Sequence, residues 1–328
     1  MSTRRVFFGA FNLIAITAIL AGPLAADDFP SRPVTMIVPY PAGGPTDAIG
    51  RVIAQGMQPA LGRPVVIENI PGAAGGLGTE KVAMATPDGY TFGLGNSVTH
   101  VLNGAIYSLK YDVVKDFEPI SLLAAEPAII VGRPTLPANN LRELIGWLKE
   151  NSGKSLAGTA GVGSVSDVAL YFLEKQIGAS IQHIPYRGLG PAVQALMSGE
   201  VDLAMSLPAN VLGQVQAGTI RAFAVTAKTR LIGAPNIPTV DEAGLDGFYQ
   251  SNWHALFAPK GTPKEIIGKL NAAAVAALAD PQIRKRLVED GQDLFPPNEL
   301  TPEALAAFQQ REIAQRWPIV KAAGIKSE

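Results

Sequence analysis

The chain has 328 residues, of which 47% are hydrophobic and 17% charged, and its 27 Lys and Arg residues nearly balance 28 Asp and Glu residues, for a formal net charge of −1. The apolar fraction excludes intrinsic disorder, and the balanced charge without a basic stripe excludes nucleic acid as an expected partner. The absence of Cys from the sequence excludes disulfides, thiolate metal sites and cysteine nucleophiles.

The chain opens with a segment that is typical of a secretory signal peptide. Arg4 and Arg5 precede an apolar run from Val6 to Leu24, which ends in small residues and two aspartates. This order predicts cleavage after Ala26, so that 1–26 is a signal peptide and the mature chain is exported to the periplasm. The paired arginines also fit a twin-arginine signal, and an uncleaved membrane anchor is the alternative.

Strand and helix patterns alternate along the rest of the chain. Short apolar runs rich in β-branched residues predict strands, and apolar residues at helical spacing predict the helices between them. The predicted strands lie at 34–38, 65–67, 90–94, 128–131, 155–157, 182–184, 201–205, 221–226 and 255–258. The main predicted helices lie at 45–61, 141–149, 168–176, 191–197, 209–216, 263–278 and 302–321, with a short one ending near 85. This alternation, over a length that suits two domains, predicts an α/β protein with parallel-rich sheets flanked by helices.

The sequence offers no catalytic constellation. The three histidines, His100, His183 and His254, do not pair at metal-ligand spacing. Neither a Gly-x-Ser-x-Gly elbow nor a Gly-x-x-x-x-Gly-Lys phosphate loop is present. We therefore expect no catalytic residue, no metal site and no cofactor. An α/β enzyme, such as an esterase or a nucleotide-dependent enzyme, is the most distant alternative.

Two glycine-rich turns between a strand and a helix carry the main functional signal. One spans Tyr40 to Asp47, and the other spans Gly158 to Ser166. A helix N-terminus has unpaired N–H groups and about half a positive charge, so such turns bind anions without Lys or Arg. The hydroxyls of Thr46, Ser164 and Ser166 can add donors. We predict a carboxylate between the two turns; alternatively, the glycines serve only tight connections and Ser166 is only an N-cap.

Eight short motifs follow one another along the chain, at 40–47, 69–78, 87–91, 111–117, 185–192, 199–202, 238–244 and 257–263. In this order they resemble the solute-binding proteins of tripartite tricarboxylate transporters, the Bug-type periplasmic binding proteins. The likeness extends almost from end to end of the mature chain.

The resemblance implies a two-lobed periplasmic-binding-protein fold, similar to type II, with a ligand cleft between the lobes. Lobe 1 would take 27–125 and 251–328, and lobe 2 would take 126–250. A small organic carboxylate, either a dicarboxylate or an aromatic acid, would bind in the cleft, and hinge closure would present it to membrane transporter subunits. The protein would be a monomer and not an enzyme. A sensor subunit for a receptor kinase is the alternative.

The resemblance and the turn residues together give a set of candidate ligand-binding positions. In lobe 1 these are Tyr40, Gly43, Gly44, Thr46, Asp47, Ala74 and Ser97, and in lobe 2 they are Ala160, Gly163, Ser164, Ser166, Asp167, Tyr186 and Asp202. For Asp47 and Asp202 the alternative is a cap or a hinge-side hydrogen-bond acceptor. For Tyr186, and for Trp253 as a further wall of the pocket, the alternative is ordinary buried packing.

Asp167 stands where the family often has His. An ionised Asp repels a second carboxylate, whereas a His can donate a hydrogen bond to one. We therefore predict that Asp167 sets selectivity at the far end of the ligand. The alternative is that Asp167 is a first-turn residue that complements the helix dipole.

Overall fold

The computed structural model describes residues 29–325, so the predicted signal peptide lies outside the described residues. The strands are β1 (Val34–Val38), β2 (Val65–Asn69), β3 (Thr91–Asn96), β4 (Phe117–Pro127), β5 (Ile129–Gly132), β6 (Leu156–Thr159), β7 (Gln182–Pro185), β8 (Leu203–Ser206), β9 (Arg221–Val225), β10 (Ser251–Pro259) and β11 (Asp293–Leu294).

The helices are α1 (Pro45–Leu61), α2 (Gly76–Ala83), α3 (Asn103–Ile106), α4 (Leu141–Glu150), α5 (Val165–Ile177), α6 (Leu189–Ser198), α7 (Pro208–Gln216), α8 (Lys264–Ala279), α9 (Pro281–Glu289) and α10 (Pro302–Ala322). Short 3₁₀ turns occur at Ala73–Gly75 and Pro297–Glu299, and a π-helical turn at Val98–Leu102 leads into α3.

The strands form two mixed sheets. The first has the order β11-β4-β10-β3-β1-β2, and the second has the order β7-β6-β8-β5-β9. The pairs that β1 makes with β2 and β3, and those that β6 makes with β7 and β8, are parallel, as expected for strands joined by crossover helices. The long strand β10 is antiparallel to β3 and β4, and β5 is antiparallel to β8 and β9. The α/β class is confirmed, but the parallel character is limited to the βαβ part of each sheet.

The chain crosses between the sheets twice, and the two crossings are hydrogen-bonded to each other. β4 passes into β5 through Ala128, whose N–H donates to Gln250 O at 3.0 Å just before β10. Thr226, just after β9, donates from its N–H to Ala128 O at 2.8 Å. The lobe boundaries at 125/126 and 250/251 stay a prediction; β4 ends at Pro127 and β10 begins at Ser251.

Each sheet buries its own apolar core. In the first sheet, α1 and α8 pack against each other, and α10 packs on β4. In the second sheet, α4 and α5 cover one face with Leu144 and Leu170, while α6 and α7 cover the other with Leu196 and Val211. Helices on both faces account for the near-continuous apolar runs of these strands.

Strand β4 is the main element that the sequence pattern does not predict. It pairs with β10 along its length, with register shifts that include one opposite Pro119. The two prolines of β4 and the alanines at its centre are residues that are depleted in strands. Long-range pairing overrides that local preference.

A substitution at Gly56 of α1 would test how closely α1 packs against α8. An added Cβ at Gly56 would lie 2.7 Å from Ala277 Cβ, closer than real carbon atoms approach. We expect Gly56→Ala to lower the free energy of unfolding by about 1–3 kcal/mol, as overpacking does.

In α4, Gly146 has no atom within 4 Å of such a Cβ. Gly146→Ala should therefore raise stability by roughly 0.5–1 kcal/mol through helix propensity. Urea denaturation measures both, and equal effects would contradict the packing.

Candidate functional site

A cavity of about 400 Å³, here called the first cavity, lies where α1, α5 and the crossing strands meet. Its wall consists of Tyr40, Thr46, Ala74, Asn96, Val98, Asn103, Tyr107, Ala128, Ala160, Val162, Gly163, Ser164, Val165, Ser166, Ala169, Leu189, Met205, Ser206, Leu207 and Asn252. None of these residues is Asp, Glu, Lys, Arg or His. Within residues 29–325, no group of three or more His, Cys, Asp or Glu is placed to hold a metal ion.

The turn before α1 is held by a buried carboxylate. Gly43 has φ +82°, and its N–H donates to Asp47 Oδ2 at 2.8 Å. Asp47 is 2% exposed and also accepts from Arg51 Nε at 2.8 Å and Asn69 Nδ2 at 2.9 Å. Burial opposes ionisation, but the hydrogen bonds from Arg51, Gly43 and Asn69 outweigh it and lower the pKa of Asp47. Asp47 is therefore a paired anion inside the turn.

The turn before α5 repeats this arrangement. Gly163 has φ +74°, and its N–H donates to Asp167 Oδ2 at 2.9 Å. The other oxygen of Asp167 lies 2.7 Å from His183 Nδ1, and His183 Nε2 lies 3.5 Å from Glu174 Oε2. Burial favours neutral His183, but its contacts with Asp167 and Glu174 outweigh burial and raise the pKa of His183 to about 9. Asp167 therefore has a cationic partner, as Asp47 does.

The hydrogen bonds from Gly43 to Asp47 and from Gly163 to Asp167 leave free backbone N–H groups at both helix N-termini. The carboxylates take the glycine N–H groups, and the N-cap Ser164 accepts from the backbone of Asp167. Across the described residues, the N–H groups of Thr46, Val165 and Ser166 have no hydrogen-bond acceptor. All three residues line the first cavity, so the positive ends of α1 and α5 both face it.

Polar side chains complete the wall. Asn96 Nδ2 donates to the Tyr40 hydroxyl at 3.1 Å, and burial raises the pKa of Tyr40 to about 12, so this hydroxyl stays neutral. Ser206 Oγ and Asn103 Oδ1 are buried without a hydrogen-bond partner in the described chain. Buried polar atoms are normally paired, so these two atoms of wall residues lack the partner that such atoms usually have.

The structure brings half of the predicted site residues to the first cavity. Those that line it are Tyr40, Thr46, Ala74, Ala160, Gly163, Ser164 and Ser166. Those outside its wall are Gly43, Gly44, Asp47, Ser97, Asp167, Tyr186 and Asp202. The residues that line it come mainly from the two turns, as the helix-dipole argument expects.

The residues outside the cavity have other contacts. Asp202 pairs with Arg133 Nε at 2.9 Å and accepts from Leu156 N at 2.9 Å, as its hydrogen-bond alternative proposed. Ser97 donates to Asn252 Oδ1 at 2.7 Å from behind the wall. Tyr186 packs on the apolar cluster under α6 and α7, and Trp253 is fully buried. Asp167 faces inwards to Gly163 and His183, in the position that its first-turn alternative describes.

Several residues of the cavity wall are not among the ligand-binding positions that the sequence predicts. Asn96 and Ser206 end β3 and β8, and polar residues at the carboxyl ends of strands are a usable signal for a ligand site. Asn103 follows a π-helical turn, and Asn252 lies at the start of a crossing strand. Neither position is indicated by a local pattern, because long-range topology brings both to the cavity.

The chain matches one family model and many known proteins. The model described as tripartite tricarboxylate transporter family receptor (TctC) matches residues 49–325. An Agrobacterium vitis protein, the UPF0065 protein in the TAR-I ttuE-ttuC' intergenic region, is 39% identical over 92% of this chain and 87% of its own length. The solved periplasmic binding protein BugD is 38% identical, with a TM-score of 0.74, over 91% of this chain and all of that chain.

A third match was solved with a ligand. MatC from Rhodopseudomonas palustris, with bound malate, is 37% identical with a TM-score of 0.73, over 89% of this chain and 100% of that chain.

Between residues 29 and 325, this chain has no helix with the length and apolar character that a membrane span needs.

The ion pair between His183 and Asp167 gives a pH-dependent stability. The folded protein raises the pKa of His183 from 6.5 to about 9, so protonated His183 stabilises the folded state fully below about pH 6.5. This stabilisation is lost as the pH rises through about 9. Between pH 6 and 9.5 we expect the free energy of unfolding to fall by on the order of 1–3 kcal/mol more in the wild type than in His183→Gln. Urea denaturation across this pH range measures the difference, and parallel curves would contradict the ion pair.

Proposed function

The chain belongs to the family of tripartite tricarboxylate transporter receptors, and on this premise we propose that its first cavity captures a small dicarboxylate or aromatic carboxylate and delivers it to the transporter's membrane subunits. The protein is a solute-binding protein with a periplasmic-binding-protein fold and not an enzyme. Binding and hinge closure, without a covalent step, account for this role.

One observation carries the proposal: two helix N-termini with free N–H groups face a cavity that has no charged side chain. A carboxylate there would accept from the amides of Thr46, Val165 and Ser166 and would lie in the positive field of both helices. The nearby acids do not oppose it, because Asp47 and Asp167 are paired with Arg51 and His183. The site therefore attracts an anion through fixed dipoles.

The rest of the wall suits a short carbon skeleton. Val98, Ala169 and Met205 supply apolar surface, while Ser206 and Asn103 supply unpaired polar atoms. A ligand with one carboxylate at the helix ends could offer a second carboxylate to the Ser206 hydroxyl, or a hydroxyl donor to Asn103 Oδ1. Malate, the ligand solved with MatC, has that chemistry, and we propose this class for the present chain.

The periplasm is the expected compartment of the protein, and a monomer its expected oligomeric state. BugD is a periplasmic binding protein, and the start of this chain has the pattern of an export signal. We propose that residues 1–26 are removed on export by the general secretory or the twin-arginine route, and that the mature protein acts as a periplasmic monomer.

The carboxylate class is tested by a thermal-shift screen of residues 27–328 against aliphatic dicarboxylates, monocarboxylates and aromatic acids. A ligand at about 100 times its Kd should add roughly 2.7 kcal/mol of stability and raise Tm by a few degrees. We expect hits confined to one carboxylate class. If ligand-free, folded protein responded to none of these acids, the proposed function would be wrong.

Val165 allows a direct test of a backbone donor. Val165 is the first residue of α5, and the same position in α1 is Pro45. Ser164 has φ −66° and ψ 163°, which a following proline tolerates, so Val165→Pro removes one N–H and keeps the helix. We expect affinity for the carboxylate to fall about tenfold or more, as the loss of a hydrogen bond to a charged group does.

Val165→Ala is the matched control for that test. It removes the same side chain but keeps the N–H, so it should bind the carboxylate nearly as well as the wild type does. Calorimetric titration with the best acid from the screen measures both variants. Equal loss of affinity in the two variants would assign the effect to the side chain and would contradict the amide donor.

A further inference from the structure

A second cavity, of about 410 Å³, shares no wall residue with the first. One side is formed by Pro45 and Ile49 of α1, and the opposite side by Pro208 and Leu212 of α7. The segment after α9, which includes Gln292, forms a further part of the wall. This cavity lies on the other side of the α1 N-terminus from the first cavity and is lined by elements of both sheets.

Two residues that line the second cavity each have a buried acceptor atom without a partner. Glu126, near the end of β4, is 1% exposed, and its Oε2 has no hydrogen-bond partner in the described chain. Gln292 is 5% exposed, and its Oε1 is likewise without a partner. Buried acceptors of this kind are costly unless a donor reaches them. The pair therefore calls for a hydrogen-bond donor in the cavity.

The charges around the second cavity are acidic. Glu289 and Asp290 also line it, and no Lys, Arg or His does. Glu289 lies 3.8 Å from the exposed Lys285. Burial raises the pKa of Glu126 to about 7. A hydrogen bond with the side chain of Gln292 lowers this pKa, and the charge of Asp290 raises it by a smaller amount. Above that pH, Glu126 is a buried anion that lacks a cation.

The neighbouring arginines do not supply that cation. Arg230 and Arg284 line a separate, smaller cavity that also contacts Gln292. Arg230 donates to Glu242, and Arg284 donates to Leu278 O. A metal ion is not indicated either, because no cluster of three or more acids or histidines within 29–325 is placed to bind one. The apolar walls favour an organic cation.

We propose that the second cavity binds a primary organic ammonium ion. Its –NH₃⁺ group donates to Glu126 and Gln292, and its carbon chain lies between Ile49 and Leu212. An ammonium group has three donors, which is enough for the two unpartnered acceptors, Glu126 Oε2 and Gln292 Oε1. The site is separate from the carboxylate cavity, so its occupation does not rest on the proposed function.

Hexylammonium chloride is the probe, titrated calorimetrically into residues 27–328 at pH 8, where Glu126 is ionised. We expect saturable binding that Glu126→Gln weakens about tenfold or more, as the loss of a charged hydrogen-bond partner does. 1-Hexanol, which has the same chain without the charge, should bind at least about tenfold more weakly. Glu150→Gln removes an exposed acid at the end of α4 and should leave binding unchanged.

An NMR readout keeps the test independent of how well Glu126→Gln folds. In the ¹⁵N-labelled wild type, hexylammonium should shift the amide signals of Gly44 and Gly291, which line the second cavity, and not those of Val165 and Ser166. The shifts should persist with a carboxylate bound in the first cavity. No saturable binding, equal binding of hexanol, or shifts confined to Val165 and Ser166 would each overturn the proposal.

Discussion

The candidate site depends on one repeated interaction, the hydrogen bond from a glycine N–H to an aspartate four residues later. Gly43 is bound to Asp47 and Gly163 to Asp167, in both cases at the start of a helix and with the glycine at positive φ. Each aspartate bends the preceding turn back onto its own helix. The free amides that follow are thereby held at one position relative to the helix axis.

In this arrangement, the charged side chains of the two turns are each paired with a neighbouring charge and do not line the cavity. Each aspartate is paired with a cation, Asp47 with Arg51 one turn further along α1 and Asp167 with His183 of strand β7. A buried carboxylate without such a partner would cost several kcal/mol and would repel an anionic ligand. With the pairs in place, the field in the cavity comes from the two helix ends and from polar side chains.

The sequence predicts the local elements well and the long-range ones poorly. The run at 34–38 and the amphipathic pattern from Pro45 coincide with β1 and α1, because periodicity and proline placement act locally. The turn residues Thr46, Ser164 and Ser166 reach the cavity for the same reason. The orientation of Asp167 could not be predicted in this way. Asp167 is oriented by His183, which lies 16 residues later in strand β7 and is not indicated by any local sequence pattern.

If the first cavity binds the ligand as proposed, its uncharged wall leaves the charge state of the ligand as the property on which selection acts. No wall residue is a carboxylate, a histidine or an amine, and burial keeps Tyr40 neutral up to about pH 12. A wall without acids, histidines or amines keeps one charge state when the acidity of the surroundings changes. Capture would then follow the fraction of solute molecules that carry the required number of negative charges, so that the receptor selects ionic species as well as molecular shape.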